Sequence, residues 1–361
     1  MPKGVFKVGK SGNFLKIIKT ICVFAGLIFG AGFASGQEHL TFFLRYGQVG
    51  ILGIILAGLV IALCGWAVLS ICVKEKITDY KGFMQSVFGR KLGGILDIVT
   101  GLFIFVIFSA MLAGAGALGQ QALDLPFSAG AVILVALSLG VLVFDVRGIV
   151  EANTIITPIL VAGALFLGIY AIFNTVEPTV AQSAQNINIW PLSASVYASY
   201  NMLTAIAVLS AMPAIVTNQK IARWGGLVGG GIISVIGVVF AIALLVNLPV
   251  VQDAQLPMLA LGQSYSLIIA RGYTVLLFLA IFTTAATNAF ALTNWLASRT
   301  KFTKTQIKLI ISALGVTVAH TGFSAMVSYG YTTFGFLGLF VVFAIILKGA
   351  KNLFSNGILR K

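Results

Sequence analysis

Residues 26–38 read GLIFGAGFASGQE, an apolar run with a polar end and with glycines at positions 26, 30, 32 and 36. Glycine weakens a helix and leaves bare backbone that a ligand can approach. An interrupted helix frees N–H groups, which suit an anion, and carbonyl groups, which suit a cation. The run therefore predicts an interrupted helix at a binding site. The alternative is close helix packing through Gly26 and Gly30, which lie four residues apart.

Glu38 ends this run and is a candidate gate or proton site. An acid in so apolar a setting is costly, and such acids are commonly functional. The alternative for Glu38 is a solvated acid that lines an outer vestibule beside His39.

A second candidate stretch is polar within an otherwise apolar segment. Its hydrogen-bonding side chains are Tyr197, Tyr200, Asn201 and Thr204. Hydroxyl and amide groups can bind a polar solute, and non-helical backbone inside a membrane is tolerated where it lines a cavity. The stretch therefore predicts a second interrupted helix. The alternative is that these side chains only bond to neighbouring helices.

A third candidate is the set Ala280, Thr283 and Thr284, which stand at i, i+3 and i+4 and so share one helical face. Two hydroxyl groups and a carbonyl on one face can bind a cation through oxygen. The alternative is that the two threonines bond back to carbonyls of their own helix.

The composition indicates the elements that must position these residues. The chain has 361 residues, of which 59% are hydrophobic and 9% charged, and its mean hydropathy is +1.05. A soluble domain cannot bury so much apolar surface, so the sequence predicts an all-α membrane protein. Apolar segments long enough to cross the hydrocarbon give ten predicted transmembrane helices. They lie at 14–36, 49–73, 97–122, 128–145, 149–173, 191–215, 225–247, 272–298, 305–320 and 328–347.

The basic residues support this count. Lysine and arginine concentrate in cytoplasmic loops, and ten spans with both termini cytoplasmic place all 23 of them except Arg45 and Arg271 on the inner side. The net charge of +14 is thus a topology signal for a multi-pass plasma-membrane protein in contact with the lipid bilayer. No nucleic-acid partner is expected. A cleavable signal peptide is the alternative for the first span and would leave nine.

Ten spans divide into two sets of five with opposite orientation, because five is odd. Inverted repeats of this kind are common in secondary transporters. The prediction is one transmembrane domain over 14–347, with repeat 1 at about 14–173 and repeat 2 at about 191–347, between a basic segment at 1–13 and a basic tail at 348–361. The discontinuous first and sixth spans would then occupy matching positions.

Three further acids lie near the cytoplasmic ends of their spans. They are Asp97, Asp145 and Glu151. We expect them at the interface or in loops, as partners of Arg147.

The stretch GAGFASGQE at 30–38, the run YASYN at 197–201 and the ten-span length resemble the amino acid permeases of the amino acid–polyamine–organocation superfamily, which have the leucine-transporter fold. The resemblance covers nearly the whole chain. It implies a secondary transporter that imports an amino acid or similar small zwitterion by alternating access. It also implies a substrate site made of Gly30, Ala31, Gly32, Tyr200, Asn201 and Thr204. Many such transporters have a tyrosine on the third span against the substrate carboxylate, and the third span here has none.

The same resemblance implies one sodium site between the first and eighth spans. Its ligands would be carbonyl groups of Gly26, Phe29 and Ala280 and hydroxyl groups of Thr283 and Thr284. Some sodium-independent relatives hold a lysine from the fifth span there, and the span 149–173 has no lysine or arginine. Sodium is therefore the expected coupling ion, and no other cofactor is expected.

Two segments are expected on the outer side, a lid at 247–264 and a gate around Tyr329 and Tyr331. Other functions remain open: a proton-coupled or uncoupled permease, and a ligand-sensing receptor on the same fold. An enzyme is not expected, because the sequence has no HExxH or GxSxG motif.

Overall fold

The structure is a computed structural model that describes residues 12–141, 146–175 and 187–358, with side chains described over 12–140, 154–175 and 188–352. The secondary structure in these ranges is helical, without a strand. The helices are α1 (Asn13–Ile28), α2 (Ala31–Ser35), α3 (Gln37–Phe42), α4 (Gly50–Glu75), α5 (Tyr80–Leu123), α6 (Phe127–Val141), α7 (Val146–Phe173), α8 (Trp190–Leu209), α9 (Gln219–Val246), α10 (Leu248–Val251), α11 (Pro257–Tyr265), α12 (Leu267–Ala297), α13 (Lys304–Ala319), α14 (Phe323–Ala325) and α15 (Thr332–Ile358). A 3₁₀ turn (Leu44–Val49) precedes α4, another (Ile187–Ile189) precedes α8, and a π turn (Met326–Tyr331) precedes α15.

Seven helices in the described ranges are long and apolar enough to cross a membrane. They lie at Leu44–Glu75, Tyr80–Leu123, Thr154–Phe173, Trp190–Leu209, Gln219–Val246, Leu267–Ala297 and Phe323–Asn352. Their outer faces are apolar as well: Leu52, Ile55 and Leu59 of α4 recur at helical spacing and are exposed. Water does not favour such a stripe, and lipid does. The chain is a multi-pass membrane protein, as its composition predicts.

The other three predicted spans coincide with shorter helices. The pair α1 and α2 covers the first span, α6 covers much of the fourth and α13 covers the ninth. The division near His320 is found, because α13 ends at Ala319 and Gly322 has a φ of 94°, which favours glycine. The count of ten and the inverted repeats stay predictions.

The predicted interruption inside the sixth span is wrong. The helix α8 is continuous from Trp190 to Leu209. Ser199, Asn201 and Thr204 each donate a hydrogen bond to a carbonyl three or four residues earlier in the same helix. These bonds satisfy the polar side chains without opening the backbone ladder.

The sixth span is non-helical at its end instead. Residues 210–218 form turns, and Pro213 among them has no N–H with which to continue a helix. Asn218 then begins α9 by accepting a hydrogen bond of 3.0 Å from the N–H of Ile221.

The third helix begins earlier than its predicted span at 97. Asp79 caps α5 by accepting a hydrogen bond of 2.7 Å from the N–H of Gly82. The charged residues that bounded the predicted span therefore lie within the helix. Gly89, with a φ of 74° and a ψ of 175°, bends α5 and separates a short first segment from the rest.

One end of the bundle collects basic side chains. Lys16 of α1 donates to Thr217 Oγ1 at 3.4 Å, so the start of α1 lies beside the turns after α8. Lys348 of α15 forms an ion pair of 2.9 Å with Glu75 at the end of α4. We call the end that contains these residues the lysine-rich end. Its cytoplasmic location stays a prediction of the positive-inside rule.

Candidate substrate cavity

The first predicted span is interrupted in the structure at Phe29 and Gly30. The N–H of Gly30 bonds to the carbonyl of Ile28 at 2.7 Å, and not to that of Gly26 four residues back. Gly30 then adopts an extended conformation and α2 starts at Ala31. No backbone hydrogen bond joins α2 to the last turn of α1 within the described ranges. The carbonyl groups at the end of α1 and the first N–H groups of α2 are thus left for a ligand.

Gly36 interrupts the span a second time. Its φ of 84° is left-handed, and a Cβ atom there would lie 3.0 Å from side-chain atoms of Leu244 and Met258. Both the conformation and the close approach require glycine. Met258 belongs to α11 in the expected lid segment 247–264, so this segment packs on the interrupted span. Because of Gly36, α2 has only five residues.

A central cavity lies at the first interruption. It is lined by every predicted substrate residue, namely Gly30, Ala31, Gly32, Tyr200, Asn201 and Thr204. Three predicted sodium ligands, Gly26, Thr283 and Thr284, line it as well. The other two, Phe29 and Ala280, are buried. The fold therefore brings residues that are far apart in sequence to one place at the interrupted helix.

The carboxylate of Glu38 lies over Gly32 at this cavity. A Cβ atom at Gly32 would lie 2.7 Å from Cδ of Glu38, so the carboxylate rests on bare backbone. Glu38 is 4% exposed, and its Oε2 has no hydrogen-bond partner among the described residues. Its side chain faces the buried hydroxyl groups of Tyr197 and Tyr200. Glu38 is therefore not a solvated vestibule acid, and its carboxyl group can pair with the charge of a cation that binds in the cavity.

This position of Glu38 changes the interpretation of Gly32. The anion site implied by the resemblance required the first N–H groups of α2 to be open to a substrate carboxylate. The space over Gly32 is filled by the protein's own carboxylate, and a helix of five residues has a small dipole. Gly32 seats Glu38 and does not present the expected anion site.

The helix α12 packs against the same interruption. A Cβ atom at Gly30 would lie 3.3 Å from Oγ1 of Thr284. The hydroxyl of Thr283 donates to the carbonyls of Leu279 and Ala280 at 2.9 and 3.2 Å, which is the alternative that the sequence left open. The hydroxyl of Thr284 makes no such bond within the described structure. The two threonines thus differ in what they offer a cation.

An aromatic layer covers the cavity on the side away from the lysine-rich end. The ring of Tyr200 has its centroid 5.4 Å from those of Phe42 and Tyr197 and 5.0 Å from that of Tyr331. All four side chains are buried. Tyr331 was expected at the outer gate, and its predicted companion Tyr329 is 77% exposed and takes no part in the layer.

A second cavity continues from the first toward the lysine-rich end. The two share the lining residues Leu27, Ile104, Val208 and Ala291, and the second extends to Trp295. Its walls are mostly apolar. The central cavity therefore adjoins a second cavity toward one end of the molecule and an aromatic layer toward the other.

Asp97, at the second cavity, forms an ion pair with Arg299. The indole Nε1 of Trp295 donates to Oδ1 of Asp97 at 3.2 Å, and the Arg299 guanidinium lies 4.6 Å from the Trp295 ring centroid. The pair links α5 to the turn after α12. The other predicted partners, Asp145 and Glu151, lie outside the described side chains, as does Arg147 itself.

Sequence reasoning missed one wall of the central cavity. Ile104, Ile107 and Met111 of α5 line it, and nothing distinguishes them from lipid-facing residues in a uniformly apolar helix. Thr287 and Asn288 also line it. They had a detectable signal, because they continue the polar face of α12 one turn further along.

Comparison with known protein families finds no family model that matches the chain. Two proteins of Bacillus subtilis (strain 168) are similar in sequence. The uncharacterized membrane protein YkvI is 27% identical over 341 residues, which cover 91% of this chain and 95% of that protein. The uncharacterized protein YyaD is 28% identical over 332 residues, which cover 91% and 96%.

Solved structures of a manganese transporter from Eremococcus coleocola have a similar fold. One mutant of it aligns with a TM-score of 0.68 at 15% identity, over 95% of this chain and 81% of that chain. A complex of the transporter with an aromatic bis-isothiourea substituted compound aligns with a TM-score of 0.67 over the same shares. At this identity the similarity shows the fold alone. The resemblance to amino acid permeases stays a prediction.

Proposed function

We propose that this protein is a secondary transporter that carries a small ammonium-bearing solute across the membrane by alternating access. An amino acid, implied by the sequence resemblance, is one such solute. The main support for this proposal is the carboxyl group of Glu38, which is buried in the central cavity without a counter-charge in the described structure. An ammonium group bound there would give this charge its partner. The membrane helices and the fold shared with a transporter support the general class.

Alternating access needs a central site that opens to one side at a time. The aromatic layer around Tyr200 covers the cavity on one side, and the second cavity leads toward the lysine-rich end on the other. If that end is cytoplasmic, this arrangement is inward-facing. A receptor would need to bind its ligand but would not need such a route.

We propose sodium as the coupling ion, held between the end of α1 and α12. The support is the carbonyl of Gly26, released from its helical bond, and the hydroxyl of Thr284 beside Gly30. A cation there would bridge the interrupted helix and α12, and would thereby favour the conformation that binds substrate. Proton coupling through Glu38 is the competing mechanism.

A divalent metal ion is the second candidate substrate, because the similar solved structures are of a manganese transporter. The central cavity offers one carboxylate, that of Glu38, and the sulfur of Met111. Within the described residues no group of three His, Cys, Asp or Glu residues could hold a metal ion. The other polar groups of the cavity are neutral hydroxyl, amide and carbonyl groups, so one carboxylate would balance only half the charge of a divalent ion. The ammonium group is therefore the better fit.

A two-stage experiment tests the proposal. The purified protein is first screened by thermal shift against amino acids, amines and Mn²⁺, in sodium and in choline chloride, because a ligand of the folded state raises the melting temperature. The strongest organic ligand is then labelled and offered to proteoliposomes with and without an inward sodium gradient. We expect uptake that is faster with the gradient.

The matched variants are Glu38→Gln and Glu75→Gln. The first should abolish uptake, and the second, which removes an acid at the lysine-rich end, should retain it. A ligand that binds but is never taken up contradicts transport and supports a receptor. Uptake that ignores sodium and follows a pH gradient contradicts sodium coupling. Stabilisation by Mn²⁺ alone supports the metal candidate.

A further inference from the structure

Two polar side chains of α8 that line the central cavity donate hydrogen bonds to their own helix. The Nδ2 group of Asn201 donates to the carbonyl of Tyr197 at 3.0 Å, and the hydroxyl of Thr204 donates to the carbonyl of Asn201 at 3.0 Å. Once its hydrogen is committed in this way, a hydroxyl oxygen offers only lone pairs. Thr204 therefore presents an acceptor to a ligand, and Asn201 presents its amide oxygen with one N–H still available.

On the facing side of α12, three polar side chains also donate hydrogen bonds to carbonyl groups of their own helix. The hydroxyl of Thr283 donates to two carbonyls of its own helix, and that of Thr287 donates to the carbonyl of Thr283 at 2.8 Å. The Nδ2 group of Asn288 donates to the carbonyl of Thr284 at 2.8 Å. Two opposite walls of the cavity are thus lined by oxygen atoms that can accept.

The buried carboxylate of Glu38 adds a charged acceptor at the same cavity. A protonated primary amine has three N–H donors, a positive charge and no acceptor. It therefore complements the cavity in both charge and hydrogen bonding.

A carboxylate on the same ligand would lack a positive counter-charge. No lysine, arginine or histidine is among the described residues that line the cavity. The backbone at Gly32 is covered by Glu38. The hydroxyl of Tyr200 faces Glu38 and is directed to the protein's own carboxylate. A substrate carboxylate would be buried beside a like charge and against acceptors, which is unfavourable.

The third wall of the cavity is apolar. Ile104, Ile107 and Met111 of α5 lie there, with Val208 of α8 nearby. Apolar walls with a few placed polar groups are typical of sites for small organic ligands. This wall suits a hydrocarbon body attached to the ammonium group.

We propose that the cavity selects a primary amine with an apolar body and no carboxylate, held through its ammonium group by Glu38. This inference rests on the proposed function and narrows its substrate from any ammonium-bearing solute to an organic monocation. One carboxylate matches one positive charge, which also favours a monovalent ligand over a divalent metal.

Calorimetry with four probes of one shape tests the inference. They are 3-methylbutylamine, leucine, leucinamide and 4-methylpentanoate, which keep the same branched body and vary only the charged groups. Titrations use the full chain in detergent, in sodium and in choline chloride. We expect the amine to bind at least about tenfold more tightly than leucine, because leucine brings a carboxylate into an acceptor-lined site. Leucinamide should bind more tightly than leucine, and 4-methylpentanoate should not bind.

Two variants locate the site. Glu38→Gln should abolish amine binding, and Glu75→Gln should leave it unchanged. If Glu38→Gln does not fold, as judged by gel filtration, the order of the four probes' affinities for the wild-type protein still tests the inference. Methylamine, which lacks the apolar body, should bind more weakly than 3-methylbutylamine.

Leucine that binds as tightly as the amine, or more tightly, overturns the inference. So does a folded wild-type protein that binds none of the probes at millimolar concentration. Transport can fail separately: an amine that binds but does not cross proteoliposomes contradicts the proposed function and leaves the inference intact. An amino acid that is taken up and binds more tightly than its amine contradicts the inference and leaves the proposed function intact.

Discussion

The hydroxyl of Tyr273 on α12 donates a hydrogen bond of 2.5 Å to the carbonyl of Ala34 on α2. Both residues are buried. The bond spans 239 positions of sequence and joins α2, the short second piece of the interrupted span, to a long membrane helix. Because α2 has only five residues, a contact of this kind is needed to hold it in place.

Tyr273→Phe should therefore destabilise the protein and loosen α2. Removing the donor leaves the Ala34 carbonyl buried without its partner, which costs about 1–3 kcal/mol. We expect a lower melting temperature and weaker ligand binding in calorimetry. Tyr329→Phe is the control, since Tyr329 is 77% exposed. Equal melting temperatures for the two variants would contradict the role of the bond.

Gly32→Ala should displace the carboxylate of Glu38. The added Cβ atom would lie 2.7 Å from Cδ of Glu38, and such overpacking costs about 1–3 kcal/mol. We expect ligand binding to be lost, and Gly32→Leu to abolish it in a protein that still inserts. Gly272→Ala on α12 is the control, because a Cβ atom there meets nothing within 4 Å in the described structure.

The double variant Gly32→Ala with Glu38→Ala separates the two residues. Without the glutamate side chain the clash disappears, so the stability lost in Gly32→Ala should return. Ligand binding should not return, because the carboxylate is missing. Additive effects on the melting temperature would show that the two positions do not interact.

Thr284→Ala should weaken the effect of sodium on ligand affinity more than Thr283→Ala does. The hydroxyl of Thr283 is bonded to its own helix, whereas that of Thr284 lies beside Gly30 at the interruption. In the wild type we expect sodium to raise affinity by roughly 5–150-fold, or about 1–3 kcal/mol. Calorimetry in sodium and in choline chloride measures it.

The matched control is Thr284→Ser, which keeps the hydroxyl group and should keep the sodium effect. Because linkage is reciprocal, the ligand must tighten sodium binding by the same factor. Equal wild-type affinity in the two salts would refute the sodium site.

Asp97→Asn should loosen the contact between α5 and the end of α12. It removes one partner of the ion pair with Arg299. Because this pair is partly buried, its contribution lies between those of exposed and buried ion pairs, and we expect the free energy of unfolding to fall by about 1–3 kcal/mol. The transport rate should change more than the ligand affinity, because the pair lies outside the central cavity. The charge exchange Asp97→Arg with Arg299→Asp should restore part of the stability, and its failure to do so would count against the pair.

Local backbone preferences made the interruption of the first span predictable. Glycines at 30, 32 and 36 stand where the chain needs an extended conformation, a bare backbone surface and a left-handed φ. The spacing of Thr283 and Thr284 also placed these side chains on a common helical face. Each of these inferences depends on residues close together in sequence.

Features that depend on distant residues were not predictable. The polar middle of α8 suggested a break, but the side chains of Asn201 and Thr204 donate hydrogen bonds to carbonyl groups of an intact helix. Asp97 pairs with Arg299, which is 202 positions away. Glu38 follows a left-handed Gly36 that turns the chain, and only the folded arrangement shows that its carboxylate lies over Gly32 and not in a vestibule.

The bend of α5 at Gly89 has a consequence for the position of the protein in the bilayer. A straight helix of its 44 residues would be about 66 Å long, roughly twice the hydrocarbon thickness of about 30 Å. The segment before the bend buries Phe83 and packs Phe88 against Phe340, while Lys81 is exposed. Such a segment can lie among the lipid headgroups, parallel to the membrane surface, and fix the depth of the lysine-rich end in the bilayer. In thinner or thicker bilayers the mismatch would then be taken up at the opposite end, where the aromatic layer lies.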